Sequence, residues 1–356
     1  MHPDWQSFLE SRGAIFDDCD GEPCVAEFRG APDRVGPDLV DLSPLGLLRI
    51  DGPDAARFLQ GYATCDVSHV SQTRAAASAL CTREGRTLAT FRLWGASDAL
   101  TMRLHRALIL PVHDLLARYI VFSKADLVEP GDAVVGMGLS GPGASECITA
   151  LCGSAPGHDD VVRATTEVGE VTVIRCRGEH ERFELWLPVA DAPALWTRLE
   201  TQARPAPWSR WVAQRIREGY VELSPRTAGE FIPQALNLQA LGSISFDKGC
   251  YLGQEVVARM QYLGRIKKRL YRFSLDAALA SDPVLGAEVT VDGANGEVVG
   301  EVVAAATDAG RCELLAVIRN DRIDARLYVG RHPLTPEPLP YEVPAPRAAS
   351  GASAGS

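Results

Sequence analysis

Apolar and polar positions along the chain switch between two periods. Alternation with period two at 75–81, 87–94, 99–104, 171–176 and 183–187 predicts strands, because successive strand side chains face opposite sides. Helical spacing at 55–59, 108–119, 192–201 and 211–217 predicts amphipathic helices. Short apolar runs at 45–50, 120–128 and 133–139 read as further strands. Turn and cap residues agree with this division. Pro53 stands at a helix start and Gly61 at its end, Arg83-Glu84-Gly85-Arg86 forms a hairpin turn, Pro205-Ala206-Pro207 breaks the third helix, and Gly219 closes the fourth. Beyond residue 265 the texture changes. Short strands at 270–275, 288–291, 298–304, 314–318 and 327–329, separated by turns such as Asp292-Gly293-Ala294-Asn295-Gly296, fit a small barrel or sandwich. No solenoid or propeller period recurs. The pattern is that of an α+β protein.

A length of 356 residues suits two or three domains, and 46% hydrophobic content can fill their cores. The net charge of −10 disfavours non-specific binding to nucleic acid or to a membrane surface, since both need a positive face. No uncharged apolar run reaches the ~18–20 residues of a membrane span. The first ten residues, MHPDWQSFLE, lack the basic-then-apolar order of a secretory signal, so a cytoplasmic protein is expected. Nine cysteines are an odd number, which excludes complete pairing. None forms a C-x-x-C pair, so reduced and mostly buried thiols are expected, with no metal site. From Pro344 onward the chain is rich in Pro, Ala, Ser and Gly, and a disordered tail is expected.

Four stretches carry candidate chemistry. Gly136-Met137-Gly138-Leu139-Ser140-Gly141, with Asp159 and Asp160 downstream, has the outline of a dinucleotide fingerprint. The immediate Pro142-Gly143 and the lack of regular βαβ units weaken it. In Lys248-Gly249-Cys250-Tyr251-Leu252-Gly253-Gln254-Glu255, Cys250 precedes a helix-like run and neighbours Lys248. A helix N-terminus and an ammonium both favour thiolate, so Cys250 is either a reactive thiol or a structural cysteine at a Gly-flanked corner. No Cys-His-Asn/Asp set accompanies it, which argues against a hydrolase nucleophile. Arg259, Arg265, Lys267, Lys268, Arg269 and Arg272, with Tyr262 and Tyr271 interleaved, form either a solvated strand edge or an anion site. Phe231-Ile232-Pro233-Gln234-Ala235-Leu236-Asn237-Leu238 is apolar except for Gln234 and Asn237, which suit either a satisfied core or an apolar pocket for a flat heterocycle.

The cysteine stretch resembles the K-G-C-Y-x-G-Q-E signature of YgfZ-type folate-binding proteins, and 231–238 resembles that family's F-I-P-Q-x-L-N-L segment. Phe58-Leu59-Gln60-Gly61 with Thr64-Cys65-Asp66 is similar to its F-L-Q-G and T-N-D segments, Cys65 replacing the commoner Asn. The resemblance spans roughly 40–330. It implies the three-domain fold of the glycine cleavage T-protein, an aminomethyltransferase: a ring around a folate cavity, ending in a small β-barrel. The corresponding divisions are 1–130 with part of 205–265 as a folate-binding α+β core, 131–204 as a second α+β domain, 266–340 as the barrel, and 341–356 as the tail. The implied role is a tetrahydrofolate-binding accessory protein for assembly or repair of [4Fe-4S] enzymes, with tRNA methylthiolation enzymes among the clients. Direct binding to nucleic acid is not expected at this net charge. Cys250 and Lys248 are then the reactive pair, and Asp66, Gln234, Asn237, Tyr251, Gln254, Glu255 and Arg259 the folate-binding candidates. A folate-dependent aminomethyltransferase is the alternative. It is disfavoured because Arg86-Thr87-Leu88-Ala89-Thr90-Phe91 has no carboxylate where the transferases carry acidic residues.

Overall fold

The computed structural model describes every residue except 31–34, 277–284, 295, 309 and 344–356, so the expected tail lies outside the described residues. Among the described residues three large sheets and one two-stranded hairpin organise the chain. The first has five antiparallel strands in the order Ala76–Cys81, Thr87–Ala96, Ala99–His105, Leu45–Asp51 and Asp126–Val128. Its first hairpin turns at Gly85, whose φ of +71° is open to glycine at little cost. The helices Ala55–Gln60 and Ile109–Ile120 bury Phe58, Leu59, Val112 and Leu116 in the same core. The apolar run 120–128 is a correction to the expected strand: the helix continues to Ile120, and only Asp126–Val128 is extended. Val121 and Phe122 in that run are 71% and 91% exposed, so apolarity there does not mark burial.

The second sheet has six strands, ordered Val161–Thr166, Gly169–Arg175, Arg182–Pro188, Val134–Ser140, Asp38–Asp41 and Arg204–Ala206. The last pair is parallel, and Pro205 is tolerated because its strand is an edge. The segment 205–207, read as a helix breaker, therefore also supplies a strand. The N-terminal helix Pro3–Ser11 packs here, with Trp5 against Trp196 at 5.7 Å and Trp5 Nε1 donating to Asp41 at 2.8 Å. Trp5, Leu9, Ala14, Val25, Phe28 and Leu39 share the core of this second sheet. Asp38–Asp41 is only four residues long, and its ladder partners are distant in the chain.

The glycine fingerprint has a packing explanation. A Cβ on Gly136 would lie 2.6 Å from the Trp186 ring, and one on Gly138 would lie 2.6 Å from Trp211. Both glycines sit inside Val134–Ser140, whose two neighbours are antiparallel, so no βαβ unit exists here and the dinucleotide reading is set aside.

The third sheet is a nearly closed seven-stranded barrel. Its order is His332–Pro333, Leu327–Val329, Glu288–Val291, Val298–Asp308, Arg311–Arg319, Lys268–Asp276 and Thr335–Glu337. The basic strand Lys268–Asp276 pairs along its length with Arg311–Arg319 and, at Arg272–Ser274 alone, also with Thr335–Glu337, so its basic first half lies on an edge. Arg272 in that strand pairs with Glu313 at 2.8 Å. Helix Trp208–Arg217 joins the parts. Trp208 and Trp211 pack with the second sheet's Val40 and Trp186, while Ala213 and Ile216 pack with the first sheet's core.

The expectation that all nine cysteines are reduced is also corrected. Cys19 and Cys24 form a disulfide across the hairpin Ala14–Cys19 and Glu22–Phe28. Asp20-Gly21 is the turn, both with positive φ, and this pair of residues is a recognised hairpin signal in the sequence. Among the described residues no helix is long and apolar enough to cross a membrane.

Candidate functional site

The cysteine motif forms a corner against the first sheet. Gly253 precedes helix Gln254–Tyr262 with φ +82°, and its Cα faces the hairpin turn: a Cβ there would lie 2.4 Å from the Thr82 carbonyl oxygen. Leu252 N donates to the Gly61 carbonyl at 3.0 Å, tying the loop to the end of helix Ala55–Gln60. Cys250 is exposed at the tip, and among the described residues it is the one exposed free cysteine. Lys248 is buried beneath it. Its Nζ donates to the carbonyls of Ala63 at 2.7 Å and Cys65 at 2.8 Å and lies 5.3 Å over the Tyr251 ring. Burial pushes the Lys248 amine down to about 8. Among the described residues no hydrogen bond links Lys248 to Cys250, so the ammonium fixes the loop's path and is not directed at the thiol.

Asp66 lies next to that anchor. Its carboxylate accepts from Ser68 Oγ at 2.7 Å, Ser68 N at 3.0 Å and Gln60 Nε2 at 2.9 Å. The Ser68 hydroxyl bond foremost holds it down at about 2. Tyr251 is buried, and its N donates to Gln254 Oε1 at 3.3 Å. Glu255 and Arg259 are exposed and pair with each other at 2.8 Å. Gln234 and Asn237 are fully buried; Gln234 Nε2 donates to Val257 O at 2.7 Å and Asn237 Nδ2 to Leu270 O at 3.0 Å. These bonds hold the 3-10 turn Pro233–Leu236 against the motif helix and the barrel, while Gln234 Oε1 and Asn237 Oδ1 are buried without a hydrogen-bond partner. The structure thus gathers Asp66, Lys248, Cys250, Tyr251 and Gln254 in one corner, with Glu255 and Arg259 on the exposed helix face.

A different set of residues lines the cavity between the first and second sheets. It holds about 350 Å³ and includes Arg92 and Arg103 from one sheet and Arg182 and Glu184 from the other. Helix Trp208–Arg217 contributes Arg215, and Glu218, Tyr220, Leu241 and Tyr341 complete it. None of the nine sequence candidates lines it. The charges are tightly paired: Arg103 to both Glu184 oxygens at 2.9 and 3.1 Å, Arg92 to Asp159 at 3.2 Å, Arg177 to Asp159 at 2.6 Å, and Arg182 to Glu218. Burial alone would push the Glu184 carboxyl up, but Arg103 and Arg92 outweigh it and leave the group at about 2. Pairing is incomplete. Arg92 Nε, Arg182 Nε and Nη1, and Glu218 Oε1 are buried without a hydrogen-bond partner. Charged side chains beside the apolar Ala77, Ala240 and Leu241 in the cavity lining suit a flat polar heterocycle. Sequence reasoning passed over these residues, although Arg92, Arg103 and Glu184 interrupt apolar strands and buried charges are rare unless paired. No group of three or more His, Cys, Asp or Glu that could hold a metal ion occurs among the described residues.

Residues 17–214 match the family described as "GCVT N-terminal domain". The "tRNA-modifying protein YgfZ" of Colwellia psychrerythraea is 31% identical over 80% of this chain and 86% of its own length. The protein of the same name from Escherichia coli O127:H6 is 31% identical over 86% of this chain and 93% of its own. In fold, the glycine cleavage system aminomethyltransferase T from Bartonella henselae superposes with a TM-score of 0.72, at 14% identity, covering 93% of this chain and 94% of that one. The chain therefore belongs to the YgfZ proteins, a branch of the GCVT-domain family built on the aminomethyltransferase T fold.

Proposed function

We propose that this protein binds a reduced folate in the cavity between its first two sheets and, so loaded, supports iron–sulfur enzymes, among them enzymes that modify tRNA. The observation that carries the reading is the set of buried, incompletely paired Arg and Glu groups around a cavity of about 350 Å³. A pteridine is flat and presents N–H donors and ring acceptors together. Glu218 would take its N–H groups, and Arg92 and Arg182 would donate to its ring nitrogens and oxygen. The glutamate tail would lead out past Arg177, whose guanidinium is 57% exposed at the wall. When bound, a folate carries or accepts one-carbon groups. The protein's own contribution is to orient it and keep it dry. The relatives' printed name supports the link to tRNA modification, and with a net charge of −10 that link runs through client enzymes.

Cys250 is the second part of the proposal. It is the exposed thiol on a loop held rigid by Lys248 and Gly253, presented to a partner at the surface and not to the cavity. The test combines tetrahydrofolate titration by calorimetry with a client [4Fe-4S] enzyme assay. Ala77→Phe fills the cavity without removing a charge; it is expected to abolish folate binding while the protein melts cooperatively. Cys250→Ala is expected to bind folate normally and lose client support. No binding by the wild type, or wild-type binding by Ala77→Phe, would overturn the folate site; full client support by Cys250→Ala would overturn the role of the thiol.

A further inference from the structure

The fold sorts the cations of the basic stretch 259–272 into two groups. Arg259 pairs with Glu255 at 2.8 Å, Arg272 pairs with Glu313 at 2.8 Å, and Arg269 is buried. Arg265, Lys267 and Lys268 are exposed, and among the described residues no ion pair joins any of them. Glu301 is close enough to feel Lys268 without pairing with it. The backbone that carries these three is fixed. Asn320 N donates to Lys267 O at 2.8 Å, and Asn320 Nδ2 donates to Ile266 O at 2.7 Å. The Ile266 side chain is buried, while its neighbours Arg265 and Lys267 stand in solvent.

An apolar tip adjoins these charges. Tyr262 and Leu263, at the end of helix Gln254–Tyr262, are 46% and 82% exposed. The Tyr262 ring meets the Phe246 ring edge-on, with centroids 6.0 Å apart. Phe246 is four residues from Cys250, a reach of at most ~14 Å along the chain. The loop that bears the exposed thiol therefore starts beside the apolar tip and runs back along the helix to Gly253. One region thus presents an apolar tip, three unpaired cations and a thiol. Asp247 is the carboxylate between Phe246 and Cys250. This concentration of positive charge stands on a chain whose net charge is −10.

Resting on the reading that Cys250 is presented to a partner protein, we propose that this face docks an acidic segment of that partner. The segment's carboxylates meet Arg265, Lys267 and Lys268, and one of its apolar side chains covers Leu263. Complementary charge steers and registers such a segment, and the apolar contact holds it. A nucleic acid or an anionic membrane brings an extended row of negative charge against an acidic chain and needs a wider basic face than three cations. A short acidic segment meets those three alone.

Capture of activated peptides by the full chain tests this. The probes are Leu-Glu-Glu-Leu-Glu-Cys and its counterparts with Gln or Lys in place of Glu, each carrying a pyridyl disulfide on its cysteine. The Cys250 thiolate attacks the peptide sulfur, a protein–peptide disulfide forms, and pyridine-2-thione leaves. Reaction of the Cys250→Ala protein is subtracted, and each rate is divided by that of neutral iodoacetamide at the same thiol, which removes any change in thiolate content. At about 0.01 M ionic strength the Debye length, roughly 30 Å, spans the distance from loop to thiol. The Glu peptide is expected to react at least about tenfold faster than the Gln peptide, and the Lys peptide more slowly than either. About 1 M salt removes the difference. Arg265→Glu combined with Lys267→Glu is expected to bring the Glu and Gln peptides within about twofold of each other, and Leu263→Ser to slow the Glu peptide by about fivefold. Equal rates for the Glu and Gln peptides in the wild type, or an advantage that survives the charge reversal, overturn the proposal. So does a stronger block of capture by oligouridylate or by phosphatidylserine vesicles than by the unreactive serine analogue of the Glu peptide, since the face then belongs to a nucleic acid or a membrane. The role of Cys250 in client support is read separately, by the Cys250→Ala client assay.

Discussion

The two glycines that bracket Cys250 are equivalent in sequence and opposite in structure, and replacing each with alanine separates them. At Gly253 the backbone φ is +82°, and an added Cβ would stand 2.4 Å from Thr82 O, 3.0 Å from Cys81 Cβ and 3.2 Å from Gly85 Cα. An L-residue in that region costs about 1–2 kcal/mol in backbone sterics alone. The clash is with backbone, not with the tip of a flexible side chain, so relief requires the helix and the hairpin turn to separate, which adds about 1–3 kcal/mol. Gly253→Ala should therefore lose about 2–5 kcal/mol, a large share of the ~5–15 kcal/mol that stabilises a typical domain. At Gly249 a Cβ meets nothing within 4 Å and φ is unrestricted, so Gly249→Ala should stay within about 0.5 kcal/mol of the wild type. Urea unfolding of the two variants reads the difference, and alkylation kinetics at Cys250 report whether the loop has moved. Equal midpoints for the two variants, or Gly253→Ala with wild-type stability and wild-type alkylation, would refute the claim that the motif corner is docked through Gly253.

Three further outcomes follow from the same packing. In the folded protein Cys250 should react with iodoacetamide well before any other free cysteine, because the six remaining free cysteines are buried or half-buried; mass mapping of the first adduct at another cysteine contradicts this. Arg103→Leu leaves the buried Glu222 with Arg215 alone and Glu184 with Arg92 at 3.9 Å, and should cost about 3–5 kcal/mol in thermal or urea unfolding, whereas a loss under ~1 kcal/mol means the network is not buried as described. Glu184 sits at about 2 in the fold against 4.5 when free. A carboxyl lowered by folding stabilises the protein above its free value and loses that contribution as pH falls toward the folded one. Acid unfolding between about 4.5 and 2 should accordingly be less steep in a cooperative Glu184→Gln variant; an unchanged acid limb contradicts the assignment.

The local elements were legible because local physics sets them. Period-two alternation gives the strands Thr87–Ala96 and Arg182–Pro188, helical spacing gives Ile109–Ile120, and Gly85 and Asp20-Gly21 mark turns that need positive φ. The motif around Cys250 was legible too, since its glycines and its place before a helix are properties of neighbouring residues. Where the sequence misled, the cause was long-range. The run 120–128 is apolar at both ends and reads as a strand, yet Val121 and Phe122 lie exposed. The glycines at 136 and 138 fit a phosphate loop in spacing, but they exist to admit two indole rings from residues 186 and 211.

The sequence by itself determined the α+β class and the family, and through the family the C-terminal barrel, because these rest on periodicity or on contiguous motifs. Only the tertiary structure decided which charges meet. Arg92, Arg103, Arg182, Glu184, Glu218 and Glu222 are scattered across more than a hundred positions, and each alone looks like an ordinary surface charge. Two sheets and helix Trp208–Arg217 converge to bury them around shared cavities, where the low dielectric makes pairing obligatory. Likewise, proximity in sequence suggested that Lys248 activates Cys250, whereas the fold turns its ammonium onto two carbonyls of another segment.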